Sequence, residues 1–480
     1  MGKIQRLAGE TVLYGLGSIV PRFLSFLLVP LHTDVFSPEE YGVITKVYAY
    51  VGVVNIVFIF GMETAYFRFA SKAGLDERKV FNLAQTVVIT ISTLLSLGFI
   101  LLASPISEKL SVPGHHDLVM WIILIMFIDA CVAIPFARLR LQKKALRFAA
   151  GKLINIGLLV GLNLFLLKFS PALIPDVSFV ILANLAANAF YLLFFAPVLL
   201  SWRPAYDKNI SPAMYGYAYP VMFTGLAGMT NEMFSRITLE EWLPAGFYGE
   251  KSDEYALGIF GACYKLAALM NLAIQAFRYA AEPFFFSNAS EKNSPQLFAT
   301  VNHYFIIVCC TLLLGVAVNL DILKYFLADP AYWEGLHIVP ILLLAYLFLG
   351  VYYNFSVWFK LTDKTYFGTL TTVIGMVITI VGNYILIPIA GYEGSAIAAL
   401  LCYSGMTVLC YVLGQRFYPI PYNIVRAIVY IGGTMALVYV VNSIPIENQV
   451  AATAFHMAMI LAYLIVVYLI EGKGLRLKRA

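Results

Sequence analysis

Stretches of about twenty mostly apolar residues recur fourteen times along this chain, and no segment between them exceeds about 21 residues. An α-helix needs about 20 such residues to cross the hydrocarbon of a bilayer. The windows fall at roughly 11–32, 43–65, 83–104, 118–137, 153–168, 178–200, 214–236, 255–279, 301–320, 337–357, 367–387, 395–414, 425–441 and 451–470. Of the 480 residues, 61% are hydrophobic and 12% charged, where soluble chains carry about 25% charge. A soluble fold of this length has too much outer surface to hide that apolar content. A cytosolic enzyme, a disordered chain and a secreted disulfide scaffold are excluded. The expectation is an all-α polytopic membrane protein with about 14 transmembrane helices. All six cysteines fall in apolar stretches and none forms a CxxC pair, so they read as buried free thiols. Lys3 and Arg6 precede the first apolar stretch, and no small-residue cleavage site follows, so that stretch reads as a retained span.

The basic residues orient the spans. With the N-terminus in the cytoplasm, the inner segments 1–10, 66–82, 138–152, 201–213, 280–300, 358–366, 415–424 and 471–480 hold 22 of the 32 Lys+Arg. The outer segments hold only Lys109, Lys251 and Lys324. That asymmetry is the positive-inside pattern. It places both termini in the cytoplasm and makes the number of spans even.

An internal repeat divides the chain further. Glu40–Tyr41 opens the second span, which ends near Arg68, and Glu254–Tyr255 opens the eighth, which ends near Arg278, at an offset of 214. GLNLFLLKFSPALIPDVSFVILANLAAN resembles IVGNYILIPIAGYEGSAIAALLCYSG, and aligning Asn163 with Asn383 gives an offset of 220. RLQKKALRF and KLTDKTYFG stand before equivalent helices. The expected division is an N-lobe at 1–206, a C-lobe at 207–420 and two extra spans at 421–480. Two six-helix lobes related by a parallel pseudo-two-fold are a common transporter plan.

Ionisable residues inside spans are costly, and by default they mark function. The basic set is Arg22, Lys46, Lys168, Arg236, Lys265, Arg278 and Arg426. Lys168, Arg278 and Arg426 stand at span ends, where they can snorkel to the interface. Arg22 follows Pro21 in the middle of the first span, and Arg236 and Lys265 take corresponding places in the second half. With Lys46, these suit an anionic ligand, because a guanidinium fork grips phosphate and Lys adds a point charge. The competing explanation is structural pairing, for example of Lys46 or Arg68 with Glu63. Glu63 and Glu232 are candidates for carrying protons or binding sodium, with Asn231 and Thr230 as further oxygen donors. A helical Thr-Asn-Glu run does not aim three side chains at one point. Asp129 reads as a neutralising partner of a basic neighbour.

No G-x-x-x-x-G-K-[ST] run, Ser/His/Asp order or paired-carboxylate spacing occurs, so no catalytic residue is assigned. His115–His116–Asp117 follows Ser-Val-Pro-Gly in a short outer loop and reads as a solvated turn, so no metal site is assigned. The inner loop RLRLQKKALRFAAGK sets topology and touches anionic headgroups. No nucleic-acid partner is expected.

Several local patterns together resemble the polysaccharide flippases (O-antigen type) of the multidrug/oligosaccharidyl-lipid/polysaccharide exporter superfamily. They are the Pro-Arg pair followed by FLLVPLHTDVFSPEEYG, then GMETAYFRFA, IPFARLRLQKKALRFAAGKLIN, DILKYFLADPAYWEGLHIVPILLLAYLFLG and VGNYILIPIAGYEGSAIAALLCYSG. The resemblance covers nearly the whole chain. It implies a V-shaped, alternating-access transporter rather than an enzyme. The implied cargo is a polyprenyl-pyrophosphate-linked oligosaccharide, moved from the cytoplasmic to the periplasmic leaflet of a bacterial inner membrane for O-antigen or lipopolysaccharide assembly. Arg22, Lys46, Arg68 and Arg236 would inherit the pyrophosphate, with Lys265 as a further candidate. A Na+ or H+ gradient would drive antiport, and there would be no resident cofactor. The last two spans would offer a groove for the lipid tail. Implied partners are membrane lipid, a polysaccharide polymerase and glycosyltransferases, around a monomeric flippase. A multidrug cation antiporter of the same superfamily should carry acids and aromatics in its site, whereas the deep charges here are mainly basic. A membrane-embedded polymerase or ligase needs a sizeable outer loop, and the longest outer segment, 237–254, has 18 residues.

Overall fold

The computed structural model describes residues 15, 17–72, 74–112, 115–169, 176–291 and 293–477, with side chains described as far as Gly472. The charged termini used for the topology, Lys3 and Arg6 at one end and Lys473 to Arg479 at the other, lie outside the described residues or side chains. So does the 170–175 part of the repeat. Among the described residues the chain is helical apart from the connections between helices, with no strand. It is an all-α polytopic membrane protein.

After a helical stretch at 17–26, the main helices are α1 (Leu28–Val35), α2 (Pro38–Ile59), α3 (Met62–Ala70), α4 (Glu77–Leu101), α5 (His116–Leu141), α6 (Ala145–Leu164), α7 (Val177–Phe194), α8 (Ser211–Trp242), α9 (Asp253–Asn288), α10 (Ser294–Ala317), α11 (Val339–Phe355), α12 (Tyr366–Phe417), α13 (Ile424–Asn442) and α14 (Gln449–Leu477). Eleven helices among the described residues are long and apolar enough to cross a membrane. Fourteen windows reduce to eleven for three physical reasons. The first window begins among residues outside the description. Helix α8 is long enough, but Tyr, Gly, Ser and Pro in its first half and Glu232, Arg236, Glu240 and Glu241 in its second make it too polar to count by hydropathy. Helix α12 holds two windows at once.

Helix α12 has 52 residues, about 78 Å if straight, more than twice the hydrocarbon thickness. It breaks at Gly391, whose φ is +55° and ψ −132°. Only glycine adopts that conformation without strain. Tyr248 fixes the break: its ring stacks on Tyr392 at 4.9 Å, and its hydroxyl accepts the Tyr392 N–H at 3.0 Å. A Cβ on Gly391 would stand 2.0 Å from that hydroxyl.

Local chemistry sets the other boundaries. Ser37 and Glu40 form a capping box at the start of α2, with Pro38 at the first helical position. Glu40, half of the repeated Glu-Tyr pair, therefore serves as a cap. Helix α6 begins eight residues before the fifth apolar window, and this puts Lys152 inside the helix rather than in the inner loop. In the 201–210 linker, Asp207 accepts from Lys79 and from the backbone N–H groups of Asn209 and Ile210, which holds its carboxyl below the usual carboxylate range.

Packing divides the chain into two units, Met1–Ala262 with Thr372–Ala398, and Cys263–Thr371 with Ala399–Ala480. This division follows which helices touch. The division at 206 and 420 follows sequence symmetry, and the two do not coincide. In the first unit α5 is the central helix, with 72% of its apolar window buried. A ring cluster of Phe136, Phe148, Tyr191 and Phe195 joins α5, α6 and α7. In the second unit Phe285, Phe298, Val357 and Ile420 form a core. All six cysteines are free and buried.

A close helix crossing in the first unit joins the two repeat-related helix starts. Lipid tails are as apolar as leucine, so helices in a bilayer associate through close packing and polar ties. A Cβ on Gly42 would lie 2.1 Å from the Glu254 carbonyl oxygen, and one on Gly258 only 1.8 Å from the Pro38 carbonyl oxygen. Helices α2 and α9 thus meet backbone to backbone.

Candidate functional site

Lys46 lies one helical turn beyond Gly42 and is only 2% exposed. Its Nζ donates to Glu240 Oε1 at 2.6 Å and to Ser111 Oγ at 3.0 Å. The Ser111 hydroxyl donates to the same carboxylate oxygen at 3.3 Å. Alongside, Lys109 pairs with Glu241, which also accepts from the Tyr50 hydroxyl. Carboxylates near the end of α8 therefore neutralise both lysines. The partner of Lys46 is Glu240, not the Glu63 considered from sequence.

Toward the other end of α2 and α3, Glu63 pairs with Arg140, whose guanidinium lies over the Phe67 ring at 5.0 Å. Arg138 pairs with Glu77 at 3.0 Å and covers Phe81 at 4.7 Å. Two of the six basic residues of the inner loop are thus held by carboxylates. Lys168 pairs with Asp34. Arg68 is exposed and lies over the Tyr217 ring at 4.3 Å. Arg22 is exposed on the first helical stretch. Among the described residues neither Arg22 nor Arg68 has a carboxylate partner. Arg236 is half-buried, its Nη1 is 2.7 Å from Met233 Sδ, and its charge acts on Tyr41. Lys265 is exposed and belongs to the second unit.

The Thr230–Asn231–Glu232 run diverges. Thr230 bonds back to the Leu226 carbonyl. Asn231 is buried, donates to the Thr372 carbonyl at 3.1 Å and accepts from the Thr379 hydroxyl at 3.4 Å. It ties α8 to α12. Glu232 is half-buried and has no hydrogen bond or ion pair among the described residues.

Sequence reading missed a polar network inside the first unit. Asp129 on α5 accepts from Asn188 at 3.0 Å, Asn188 accepts from Asn155 at 3.1 Å, and Asn184 donates to the Tyr48 hydroxyl at 2.9 Å. The Lys152 ammonium lies over Phe136 at 4.2 Å and Tyr191 at 5.1 Å, and feels the charges of Asp129 and Glu63. The available signal was the Asn184/Asn188 pair at i, i+4, which puts two amides on one face of an apolar helix.

Chemically, this arrangement holds no nucleophile–base pair, and among the described residues no group of three His, Cys, Asp or Glu side chains could hold a metal ion. It offers the exposed guanidiniums of Arg22 and Arg68 in a unit where Lys46, Lys109, Arg138, Arg140 and Lys168 are held by carboxylates.

The chain is similar to the structure of the lipid II flippase MurJ in an inward closed conformation, with a TM-score of 0.73 and 13% identity, over 95% of this chain and 99% of that one. An inward-facing multidrug resistance MATE family transporter of the MOP superfamily matches with a TM-score of 0.63 and 13% identity, over 87% of this chain and 98% of that one. An outward-facing transporter of that description matches at 0.57 and 14%, over 86% and 94%. At these identities the likeness shows the fold alone. No curated protein matches the sequence. Residues 35–313, more than half of the chain, match a family described as polysaccharide biosynthesis protein, and the chain belongs to that family.

Proposed function

We propose that this protein is a flippase that moves a polyprenyl-pyrophosphate-linked oligosaccharide across a bacterial inner membrane by alternating access, driven by an ion gradient. One observation carries the reading: membership of a polysaccharide biosynthesis family coincides with a transporter fold. Such a chain serves polysaccharide synthesis by moving an intermediate. A transporter reading also fits the 243–252 connection, which leaves only ten residues between α8 and α9.

The exposed guanidiniums of Arg22 and Arg68 are the leading candidates for the pyrophosphate, because they keep their charge for a ligand. Arg236 and Lys265 are secondary candidates, and Lys46 is the weakest because Glu240 takes its charge. Among the proposed coupling residues, Glu232 ranks first. Glu63 is neutralised by Arg140, and Asn231 is engaged by Thr372 and Thr379. Membership of an O-antigen or lipopolysaccharide route, cytoplasmic termini, a monomeric state, and work beside glycosyltransferases and a polymerase belong to the same proposal.

Arg22→Ala combined with Arg68→Ala should abolish complementation of surface polysaccharide, at normal protein abundance, with the lipid-linked intermediate accumulating in the membrane. Full complementation by the double variant would remove both residues from cargo binding.

A further inference from the structure

Among the described residues, α14 is the least embedded apolar helix, with only 11% of its apolar window buried. Packing alone attaches it weakly, so its polar ties to the second unit matter more. Two of them are histidine–carboxylate pairs near opposite ends of the helix. Toward its C-terminus, Glu471 Oε1 lies 3.0 Å from His303 Nε2 of α10 and accepts from the Tyr430 hydroxyl of α13 at 2.8 Å. Toward its N-terminus, His456 Nδ1 lies 3.6 Å from Asp321 Oδ1, just beyond the end of α10. His456 and Glu471 are 15 residues apart, about 22 Å along the helix and within about 60° around it. They share one face and span most of the hydrocarbon thickness.

The His303/Glu471 pair is shielded, while in the other pair His456 is 10% and Asp321 32% exposed. The side chains of His303 and Glu471 are 16% and 12% exposed. Both carboxylate oxygens of Asp321 are buried and lack a hydrogen-bond partner. Such a charge in a poorly hydrated place is costly unless its neighbour is cationic. Histidine is the side chain that gains a positive charge between about pH 5 and 8. Arg426 acts on Glu471 and Tyr430, and Tyr463 acts on Tyr430 while accepting from Thr434. Tyr304 is a ring neighbour of His303, and Phe455 of His456. Lys324 lies over the Tyr325 and Trp333 rings. Among the described residues, no other charged side chain pairs with either imidazole.

We propose that His303/Glu471 and His456/Asp321 are two proton-binding clasps, and that protonation of the imidazoles docks α14 against α10 and α13. Acidification charges the histidines and closes the clasps. At alkaline pH the neutral imidazoles leave Asp321 without a cationic partner and Glu471 with only the Tyr430 hydroxyl and the charge of Arg426, and α14 moves off so that the carboxylates hydrate. His303 also lines a cavity of about 360 Å3 with Asn302, Thr407, Tyr422, Ala427 and Ile431. One clasp therefore links proton binding to the wall of that cavity.

The test is a distance measurement between spin labels in the full-length protein in nanodiscs. Val308→Cys on α10 and Leu461→Cys on α14 are at exposed positions, 64% and 59%, and the six native thiols are buried. We expect one short distance at pH 5.5, and at pH 8 a longer-distance population at least about three-fold larger. His303→Gln with His456→Gln should show the pH 8 distribution at both values. Asp321→Asn with Glu471→Gln should abolish the pH dependence. Identical distributions at both pH values in the label-bearing parent would overturn the proposal, as would pH dependence that survives in the double-histidine variant. If that variant fails to fold, the parent and the Asp321→Asn/Glu471→Gln variant still decide.

Discussion

Gly258→Ala should yield almost no folded protein. The added Cβ would stand 1.8 Å from the Pro38 carbonyl oxygen and 3.1 Å from the Gly42 backbone nitrogen. Real Cβ contacts begin near 3 Å. The obstacle is backbone, so no side chain can rotate away, and α2 and α9 would have to separate by an ångström or more. Ordinary overpacking costs about 1–3 kcal/mol. A backbone-to-backbone clash belongs at or beyond the top of that range, and it would also loosen the Lys46 ion pair one turn away. Loss of the monodisperse peak in size-exclusion chromatography of the detergent-solubilised protein is the measurement. Gly157→Ala in α6 is the control: nothing lies within 4 Å of its Cβ position, and alanine favours helix by about 1 kcal/mol. Normal folding of Gly258→Ala would show that the two helices do not cross this closely.

Lys46→Met should destabilise the protein by about 3–5 kcal/mol, because it leaves Glu240 as an uncompensated, largely buried charge. Glu240 Oε2 already lacks a hydrogen-bond partner, so only the Oε1 contacts hold this carboxylate. Replacing both partners, Lys46→Met with Glu240→Leu, should restore most of the stability, since well-packed apolar pairs substitute for buried ion pairs at little cost. Thermal unfolding in detergent measures both effects. A cargo-binding Lys46 would behave differently: the single variant would keep its stability and lose transport, and the double variant would rescue neither.

The sequence disclosed the fold class because a bilayer imposes a single length and polarity on each helix. It singled out Arg22 as a deep charge and offered Glu63 as a partner for Arg68; Glu63 pairs with Arg140 instead, and among the described residues neither Arg22 nor Arg68 has a carboxylate partner. The rest was hidden for definite reasons. Lys46 and Glu240 are 194 residues apart, and no local pattern joins them. Gly42 and Gly258 look like any glycines in apolar helices until the crossing shows their backbones in contact. Asp129 carried too little weight alone, since its amide partner Asn188, and Asn155 behind it, come from two other helices. Lys152 was assigned to a loop because hydropathy rises only several residues after the helix has begun. The Gly391 break lies where two apolar windows nearly touch, and pattern alone does not separate a kink from a short loop.

The most direct test of the central claim is reconstitution of the purified protein into liposomes carrying a fluorescent polyprenyl-pyrophosphate-linked oligosaccharide, with a membrane-impermeant quencher outside. The protein should raise the quenchable fraction above that of protein-free liposomes when an ion gradient is applied, and the Arg22→Ala/Arg68→Ala variant should not. Translocation no faster than in protein-free liposomes, under proton and sodium gradients alike, would contradict the flippase reading.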